Sequence, residues 1–289
     1  KLNNIYLIII CFQGGPTLTQ RCQFFYNLNL KNVSIFTYLQ FLLFMSAVRA
    51  AAQAAASSRR RREAEASAPS EEEGECDDDV AELYATRIEE LPPSVGKDLS
   101  KTERTARGVA LRGTSLTYGE VNFDPFAKAV ARIKAELGGF RSDGGVFYDL
   151  GSGTGKAVFA ATMVHRFDRC VGVELLESLH GCAEELHARF DALIAPRLRH
   201  VAEIALICGD ITDPASCDWS DATLCFANST CFSMKLMRAL AARATECAVG
   251  TWFITLTKEL PSELWVTRSA TRHKMSWGAA TLFVQEKVS

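Results

Sequence analysis

The stretch Val146-Phe-Tyr-Asp-Leu-Gly-Ser-Gly-Thr-Gly-Lys156 decides the fold of this chain. It opens with an apolar run, 146–148, that is typical of a buried strand, and it continues through Asp149 into a turn with three glycines. The alanine-rich segment 157–164 that follows predicts a helix. A strand, a glycine turn and a helix in this order hold nucleotide-like ligands at the carboxyl end of the first strand of an α/β sheet.

The glycine spacing argues against two of the ligand classes that use such turns. A phosphate-binding P-loop would need its first glycine at Leu150 and a hydroxyl at Ala157, so both groups are missing. A dinucleotide site has the pattern G-x-G-x-x-G, whereas the glycines here alternate as G-x-G-x-G. This spacing, with Asp149 just before it, resembles the first motif of class I S-adenosylmethionine-dependent methyltransferases. A tight connection without a ligand is the alternative.

Strands and helices alternate after this motif, which predicts a parallel sheet with right-handed crossovers. Upstream, Asp124-Pro125 predicts the N-cap and first position of an amphipathic helix that ends at Gly138-Gly139. The further predicted elements are strands Cys170–Glu174, Ile204–Cys208, Ala222–Ala227, Thr251–Thr257, Leu264–Arg268 and Thr281–Val288, and helices Leu176–Leu193 and Ser233–Arg243.

Polar residues follow the predicted strands at the point where each strand ends, and such ends form one crevice in an open α/β sheet. Asp149 and the glycine turn are expected to hold the methionine part of S-adenosylmethionine. Glu174, about 20 residues beyond the turn, is placed to accept the ribose hydroxyls. Asp210 is expected to bind the adenine amino group, with Ile211 against the ring. Asn228 is expected to face the methyl-transfer centre.

Several motifs together resemble the non-SET histone H3 lysine-79 methyltransferases, the disruptor-of-telomeric-silencing family. They are Tyr118-Gly-Glu, Asn-Phe-Asp before a helix, the Asp149 glycine motif, Gly172-Val-Glu174, Gly209-Asp210 and Phe226-Ala-Asn228. The resemblance runs from about Leu116 to Thr257, with a weaker match at Ser276-Trp277. The Tyr-Gly-Glu element is its most family-specific part.

The resemblance implies a class I methyltransferase (Rossmann-like) α/β fold, with a mostly parallel seven-stranded sheet and helices on both faces. It implies a nuclear enzyme that transfers a methyl group from S-adenosylmethionine to a lysine of histone H3 in the nucleosome. The loop Tyr118–Val121 would close over the cofactor, with Glu120 near its amino-acid end. Asn228 and Tyr118 are the expected catalytic residues. The expected cofactor-binding residues are Tyr118, Gly119, Glu120, Val121, Asp149, Gly151, Ser152, Gly153, Gly155, Lys156, Glu174, Asp210 and Ile211.

The chain departs from the family pattern at positions that bear on the substrate. Lys156 stands where the family has Gln, and Asn228-Ser-Thr replaces Asn-Asn-Phe. Phe232 is a candidate to replace an aromatic residue that the family has later in the chain. Phe283 is a weak candidate for the aromatic residue that would line a lysine channel. Two alternatives therefore stay open: a class I methyltransferase acting on a non-histone protein or small molecule, and a catalytically silent module that binds the cofactor.

Composition gives weaker indications. The net charge of −2 carries no global signal for a polyanionic partner, and the ten cysteines contain no C-x-x-C pair, so no metal site is expected. Cys170, Cys208 and Cys225 lie in apolar runs and are predicted to be small buried residues, which fits a reduced compartment. His180 and His187, seven apart on one predicted helix, are expected to be surface or packing residues.

The first part of the chain predicts little folded structure. Residues 1–79 are expected to be non-globular and partly non-native, since the first Met is Met45, and 80–289 are expected to form the catalytic domain with a helical lead-in. The apolar segment Val33–Val48 allows a membrane anchor as the alternative to a nuclear protein. The basic segments Arg59–Arg62 and Lys97–Arg112 are candidate DNA contacts.

Overall fold

The computed structural model describes residues 5–10, 23–28, 78–88, 90–108, 116–140, 143–275 and 278–289. The chain divides into two compact units, Lys1–Ala66 and Ser67–Ser289. In the first unit, strands β1 (Ile5–Ile10) and β2 (Gln23–Leu28) pair antiparallel. Both strands lie in the segment predicted to be non-globular, and the predicted domain division at residue 79 stays a prediction.

The second unit carries the sheet and the helices that cover it. Its helices are α1 (Asp78–Arg87), α2 (Pro93–Ala106), α3 (Phe123–Glu136), α4 (Lys156–Val164), α5 (Glu177–Leu193) and α6 (Met234–Arg243), with short 3-10 helices η1 (Ala195–Arg197) and η2 (Ser229–Cys231). Its strands are β3 (Val146–Leu150), β4 (Arg169–Glu174), β5 (Glu203–Cys208), β6 (Leu224–Ala227), β7 (Trp252–Leu256), β8 (Trp265–Met275) and β9 (Gly278–Lys287).

The seven strands form one sheet in the order β5-β4-β3-β6-β7-β9-β8. Strands β3 to β7 run parallel, and β9 and β8 are antiparallel to their neighbours. Because β3 pairs with β4 on one side and with β6 on the other, the strand order reverses at β3. Such a reversal opens the crevice in which α/β sheets bind ligands. The predicted mostly parallel seven-stranded sheet is confirmed.

Apolar layers cover both faces of the sheet. On one face, α1, α3, α4 and α5 contribute to a core in which Phe126 lies edge-on to Phe147 and Phe226, at 5.7 and 5.4 Å between ring centroids. On the other face, α6 packs with Trp219 and Phe253. Central strands are therefore buried on both sides, which is why they read as continuous apolar runs.

The ends of several elements differ from the prediction. Helix α3 begins at Phe123 with Asn122 as its N-cap, so Asp124 lies in the first turn and pairs with Lys128 at 2.6 Å instead of capping. Strand β8 continues to Met275, well beyond the predicted end. As an edge strand it alternates exposed polar with buried residues, so its later half lacks an apolar run.

The predicted burial of three cysteines holds for two of them. Cys170 and Cys225 are buried, but Cys208 is exposed. It ends β5, which is the edge strand of the sheet and is only half-buried along its length.

Candidate active site

A cavity of about 610 Å³ opens at the carboxyl edge of the parallel strands. This volume is within the range of small-molecule sites, about 300–1,000 Å³. The predicted residues that border the cavity are Tyr118, Gly119, Gly151, Glu174, Asp210, Ile211 and Asn228. Phe232 borders it too. The other predicted residues lie behind this lining, as described below.

The glycine turn needs its glycines because of both backbone and space. Gly151, Gly153 and Gly155 have φ values of 90°, 56° and 79°, which side chains disfavour. A Cβ on Gly153 would lie 2.5 Å from the ring of Tyr118. The N–H groups of Gly151 and Ser152 donate to the carbonyl of Val173, which fastens the turn to β4.

Asp149 is the penultimate residue of β3, next to this turn, and its side chain is buried. Its Oδ1 atom has no hydrogen-bond partner within the described part of the chain. Burial raises the pKa of Asp149 well above its usual range, and the Glu174 carboxyl adds to the effect. A buried acceptor without a donor fits a ligand that brings a positive charge, as the ammonium group of S-adenosylmethionine would.

Glu174 ends β4 and borders the cavity. Its Oε2 accepts from the Gly153 N–H at 2.8 Å, and its Oε1 accepts from the Leu176 N–H at 2.9 Å. Burial raises the pKa of Glu174, against the lowering effect of these backbone donors. Each carboxylate oxygen can accept a second hydrogen bond, so the group is fixed in place and still able to take hydroxyl donors.

Asp210 and Ile211 form the next part of the lining, after β5. The Asp210 Oδ1 atom accepts from the Thr212 N–H and hydroxyl, both at 2.8 Å, which closes a local turn. Ile211 is buried, and its carbonyl accepts from the Trp219 indole at 3.0 Å. Together with Phe232, Ile211 gives the cavity an apolar wall suited to a flat ring.

Tyr118 and Glu120 belong to a largely buried polar network beside the glycine turn. The Tyr118 hydroxyl donates to the Glu120 carboxylate and lies 2.8 Å from the Thr154 hydroxyl. Burial, and then the Glu120 charge, raise the pKa of Tyr118 well above its ordinary value. Its hydroxyl is therefore a hydrogen-bond donor in this network, and its predicted catalytic role stays a prediction.

Lys156, which stands where the family has Gln, completes this network. Its Nζ lies 2.7 Å from Glu120 Oε2, and both side chains are more than nine-tenths buried. The same ammonium donates to the Leu91 carbonyl at 2.6 Å. The loop at 118–120 is thus fastened to the start of α4 by a buried ion pair. Val121, the next residue, packs against the apolar core and does not border the cavity.

Asn228 follows β6 and reaches across the cavity to the loop. Its Nδ2 donates to the Gly119 carbonyl at 2.7 Å. Its Oδ1 is buried and has no partner among the described residues. Ser229 and Thr230, which depart from the family pattern, contact the end of β7 and the residue after it. The Ser229 hydroxyl donates to the Leu256 carbonyl at 2.6 Å, and the Thr230 hydroxyl lies 3.1 Å from that of Thr257.

Of the two weaker aromatic positions, only Phe283 lies among the described residues. Phe283 pairs with Thr255 across β9 and β7 and does not border it. Ser276 and Trp277 lie outside the described residues.

Helix α2 is the part of the site that sequence patterns missed. Its buried residues are Gly96, Ser100 and Arg104, so no apolar period marks it. Gly96 leaves room for the Tyr118 ring, since a Cβ there would lie 2.2 Å from it. Ser100 donates to the Leu116 carbonyl at 2.9 Å. The signal that could have found this helix is Pro93 at its first position.

The same helix corrects part of the predicted DNA contact. Arg104 is buried and donates to the Ser100 carbonyl, so it cannot reach a phosphate. Arg107 pairs with Glu103, whose carboxylate also accepts from the Ser178 N–H at the start of α5. Lys97 and Lys101 remain exposed. Arg112 and Arg59–Arg62 lie outside the described residues.

The two histidines of α5 have structural contacts. His187 stacks on Phe159 at 5.9 Å, and His180 lies 3.7 Å from Glu184, so both take part in packing and pairing on α5. No group of three or more His, Cys, Asp or Glu side chains that could hold a metal ion occurs in the described ranges. No described helix has the length and apolar character to cross a membrane, and the segment Val33–Val48 lies outside these residues.

Comparison with known families assigns the greater part of the chain. A sequence model of the family described as histone methylation protein DOT1 matches residues 111–281. This range contains every predicted catalytic and cofactor-binding residue and more than half of the chain. A comparison with curated proteins found no match.

The solved structures that match include several methyltransferases. TrmN from Thermus thermophilus matches at 17% identity and a TM-score of 0.46, over 64% of this chain and 53% of that one. The rRNA methyltransferase aviRa from Streptomyces viridochromogenes matches at 13% identity and a TM-score of 0.43, over 58% and 86%. The B. subtilis tRNA methyltransferase TrmK matches at 12% identity and a TM-score of 0.40, over 59% and 67%.

We predict that Gly96→Ala disturbs the site whereas Gly181→Ala does not. The new methyl group at position 96 would overlap the Tyr118 ring, and overpacking of this kind costs about 1–3 kcal/mol. Gly181 lies within α5 with open space beside it, so alanine there should add about 0.5–1 kcal/mol of stability. Urea unfolding and cofactor titration measure both effects. Equal stability and affinity in the two variants would contradict the packing described for Tyr118.

We predict that Asp149→Asn stabilises the cofactor-free protein at neutral pH and weakens cofactor binding. The pKa of Asp149 is raised in the folded state, so its favourable contribution is complete at acid pH and is lost as the pH rises through that pKa. The amide copies the neutral form and avoids this loss, so the melting temperatures of variant and wild type should converge towards pH 4. Loss of a charge-assisted hydrogen bond should reduce affinity for S-adenosylmethionine about 10- to 100-fold.

The control for this prediction is Asp124→Asn, the same change at an exposed residue of α3. It should alter stability by less than about 0.5 kcal/mol and leave cofactor affinity unchanged. If Asp149→Asn bound the cofactor as tightly as wild type, the assignment of the methionine ammonium to Asp149 would be wrong.

Proposed function

The chain belongs to the DOT1 histone methylation family, and we propose that it methylates a lysine of histone H3, of the lysine-79 type, within the nucleosome. Membership makes it a histone methyltransferase that uses S-adenosylmethionine, and it suggests a nuclear protein. The observation that supports the proposed acceptor site is the Asn228 amide. It faces the cavity with its nitrogen bonded and its buried oxygen free of any partner in the described structure.

The residues that would hold the cofactor follow from the donors and acceptors around the cavity. We assign Asp149 to the methionine ammonium, Glu174 to the ribose hydroxyls, and Asp210 with Ile211 to the adenine. Phe232 adds a second apolar surface for the ring. When bound, S-adenosylmethionine supplies a methyl group on a positively charged sulfur. The Glu120 carboxylate pairs with Lys156 and accepts from the Tyr118 hydroxyl, so we assign Glu120 to holding the loop 118–120 in place.

Asn228 would orient the acceptor amine. Its Oδ1 can accept an N–H of the amine, which turns the nitrogen lone pair towards the cavity. The Gly119 carbonyl accepts from the amide nitrogen of Asn228 and fixes the orientation of the side chain. The Oδ1 atom is therefore already in place when the amine binds. The amine must be neutral to attack, and an amine that leaves water for a buried site loses its proton more readily. The chain would therefore promote methyl transfer chiefly by aligning the amine and by removing it from water.

The alternative substrates keep one observation in their favour. Thr230 occupies the position of a family aromatic, and its hydroxyl lies beside that of Thr257 near the surface. The acceptor side is therefore more polar at this point than an aromatic channel would be. The assay below distinguishes these alternatives. A methyltransferase with another substrate would label molecules other than H3, and a module that only binds the cofactor would transfer no label.

We predict that the wild-type protein transfers labelled methyl groups to H3 in nucleosomes, and that Asn228→Ala lowers kcat about 100- to 1,000-fold. The dissociation constant of S-adenosylmethionine should change less than threefold, since the acceptor side is altered. Asn122→Ala is the control, because Asn122 is exposed and its side chain makes no capping hydrogen bond. Label on other proteins alone would contradict the proposed substrate, and cofactor binding without transfer would support the silent module.

We also propose a DNA contact through the exposed Lys97 and Lys101 on α2. Changing both to Gln should make the slope of log affinity against log salt less steep by about 2, since each phosphate contact contributes about 0.9. The matched control changes Lys128 and Lys134 to Gln, two exposed lysines on α3. Nucleosome binding from 50 to 200 mM salt measures the slopes. Identical slopes for wild type and the α2 variant would rule the contact out.

A further inference from the structure

The ammonium group of Lys258 is bound by three carbonyls of one short segment. Its Nζ donates to the carbonyls of Thr230 and Phe232, both at 2.8 Å, and to that of Ser229 at 3.3 Å. Lys258 is half-buried two residues after the end of β7. An ammonium has three donors and no acceptor, so this arrangement uses its full capacity.

The segment that Lys258 binds follows Asn228 directly. It consists of η2 and its C-cap residue Phe232, whose N–H donates to the Ser229 carbonyl at 3.1 Å. Its other fastenings also lead to β7: the Ser229 hydroxyl donates to the Leu256 carbonyl and accepts from the Leu256 N–H at 3.2 Å. The backbone that carries the Asn228 amide at one end and Phe232 at the other is thus attached to the end of β7, chiefly through Ser229 and Lys258.

The backbone just before Lys258 has a strained conformation, which helps to place the Lys258 ammonium at the carbonyls of 229–232. Thr257 has a φ of 69°, and within the described chain it is the one residue other than glycine with positive φ. Its N–H donates to the Thr281 carbonyl at 2.7 Å, and the Lys258 N–H donates to the Leu256 carbonyl at 2.8 Å. These bonds hold a sharp bend after β7, which directs the Lys258 side chain to η2. Strained residues of this kind cluster at functional sites.

We propose that Lys258 is a positioning residue for methyl transfer, which fixes the backbone of 229–232 and through it the Asn228 amide. This inference rests on the proposed role of Asn228. Without the ammonium, the Thr230 and Phe232 carbonyls lose this donor, and the Ser229 carbonyl keeps only the Phe232 N–H. The segment 229–232 then gains freedom at the point where the acceptor amine is oriented. A displacement of about 1 Å at such a point can cost about 100-fold in rate. The cofactor contacts at Glu174, which ends β4, and at Asp210, which follows β5, lie on other parts of the sheet edge and should be little affected.

A purely structural role for Lys258 predicts a different result. A lysine that only caps a helix end would lower the melting temperature when removed and leave the turnover of the folded protein unchanged. A positioning residue instead lowers kcat of the folded protein, and its effect depends on the presence of Asn228. The two roles separate in a double-mutant cycle, because residues that act through one another are not additive.

The experiment compares wild type with Lys258→Met, Lys258→Arg, Asn228→Ala and the double variant Asn228→Ala/Lys258→Met, all assayed at least 15 °C below their melting temperatures. For Lys258→Met we expect kcat to fall about 30- to 100-fold. The cofactor dissociation constant should change far less than kcat, because Phe232 is the one assigned cofactor contact that lies on this segment. Amide hydrogen exchange at 229–232 should become faster. Lys258→Arg should recover most of the rate, since it keeps charged donors. In the Asn228→Ala background the same Met change should cost less than threefold.

Lys128→Met is the control, as it removes an exposed lysine on α3 away from the cavity. A kcat within twofold of wild type in folded Lys258→Met would overturn the inference. So would a full additional loss in the Asn228→Ala background. The outcome for the proposed function is separate: if wild type transfers no methyl group to histones, that proposal fails, while hydrogen exchange at 229–232 and cofactor titration still report what Lys258 holds in place.

Discussion

Two buried carboxyl groups, those of Asp149 and Glu174, lie at the carboxyl ends of the neighbouring parallel strands β3 and β4. The rest of the candidate site depends on this pair of acids. Burial raises the pKa of both carboxyl groups. The glycine turn gives Glu174 one of its two backbone N–H donors, that of Gly153, and the φ values of the turn are ones that side chains disfavour. Asp149 keeps an acceptor without a donor, so a cationic ligand would relieve a cost that the folded chain otherwise bears.

The second organising feature is the way loops are fastened to the sheet. On one side of the cavity, the Lys156–Glu120 ion pair and the Tyr118 hydroxyl hold the loop before α3 against the start of α4. On the other side, Lys258 and Ser229 hold the segment after β6 against β7. The Asn228 amide joins the two sides through the Gly119 carbonyl. A site built from such connections is preorganised, which suits a reaction that depends on alignment.

The sequence predicted those features whose causes are local. Apolar runs, the glycine spacing and the acids at strand ends gave the sheet and the order of residues around the cavity, because strand ends in a parallel sheet must share one edge. Helix α2 could not be found in this way, since Gly96, Ser100 and Arg104 form its buried side. The Lys156–Glu120 pair and the Lys258 contacts join residues far apart in the chain, so only the folded structure brings them together. Cys208 and β8 were misjudged because edge strands carry no double-sided burial signal.

The central claim is that the cavity at the carboxyl edge holds S-adenosylmethionine with its ammonium group at Asp149. A crystal structure of the protein with S-adenosylhomocysteine, which keeps that ammonium group, tests it most directly. The account predicts the ammonium within hydrogen-bonding distance of the Asp149 carboxylate, the ribose at Glu174, and the adenine against Ile211 and Phe232. A bound ligand whose amino group lies away from Asp149, or one seated outside this cavity, would contradict it.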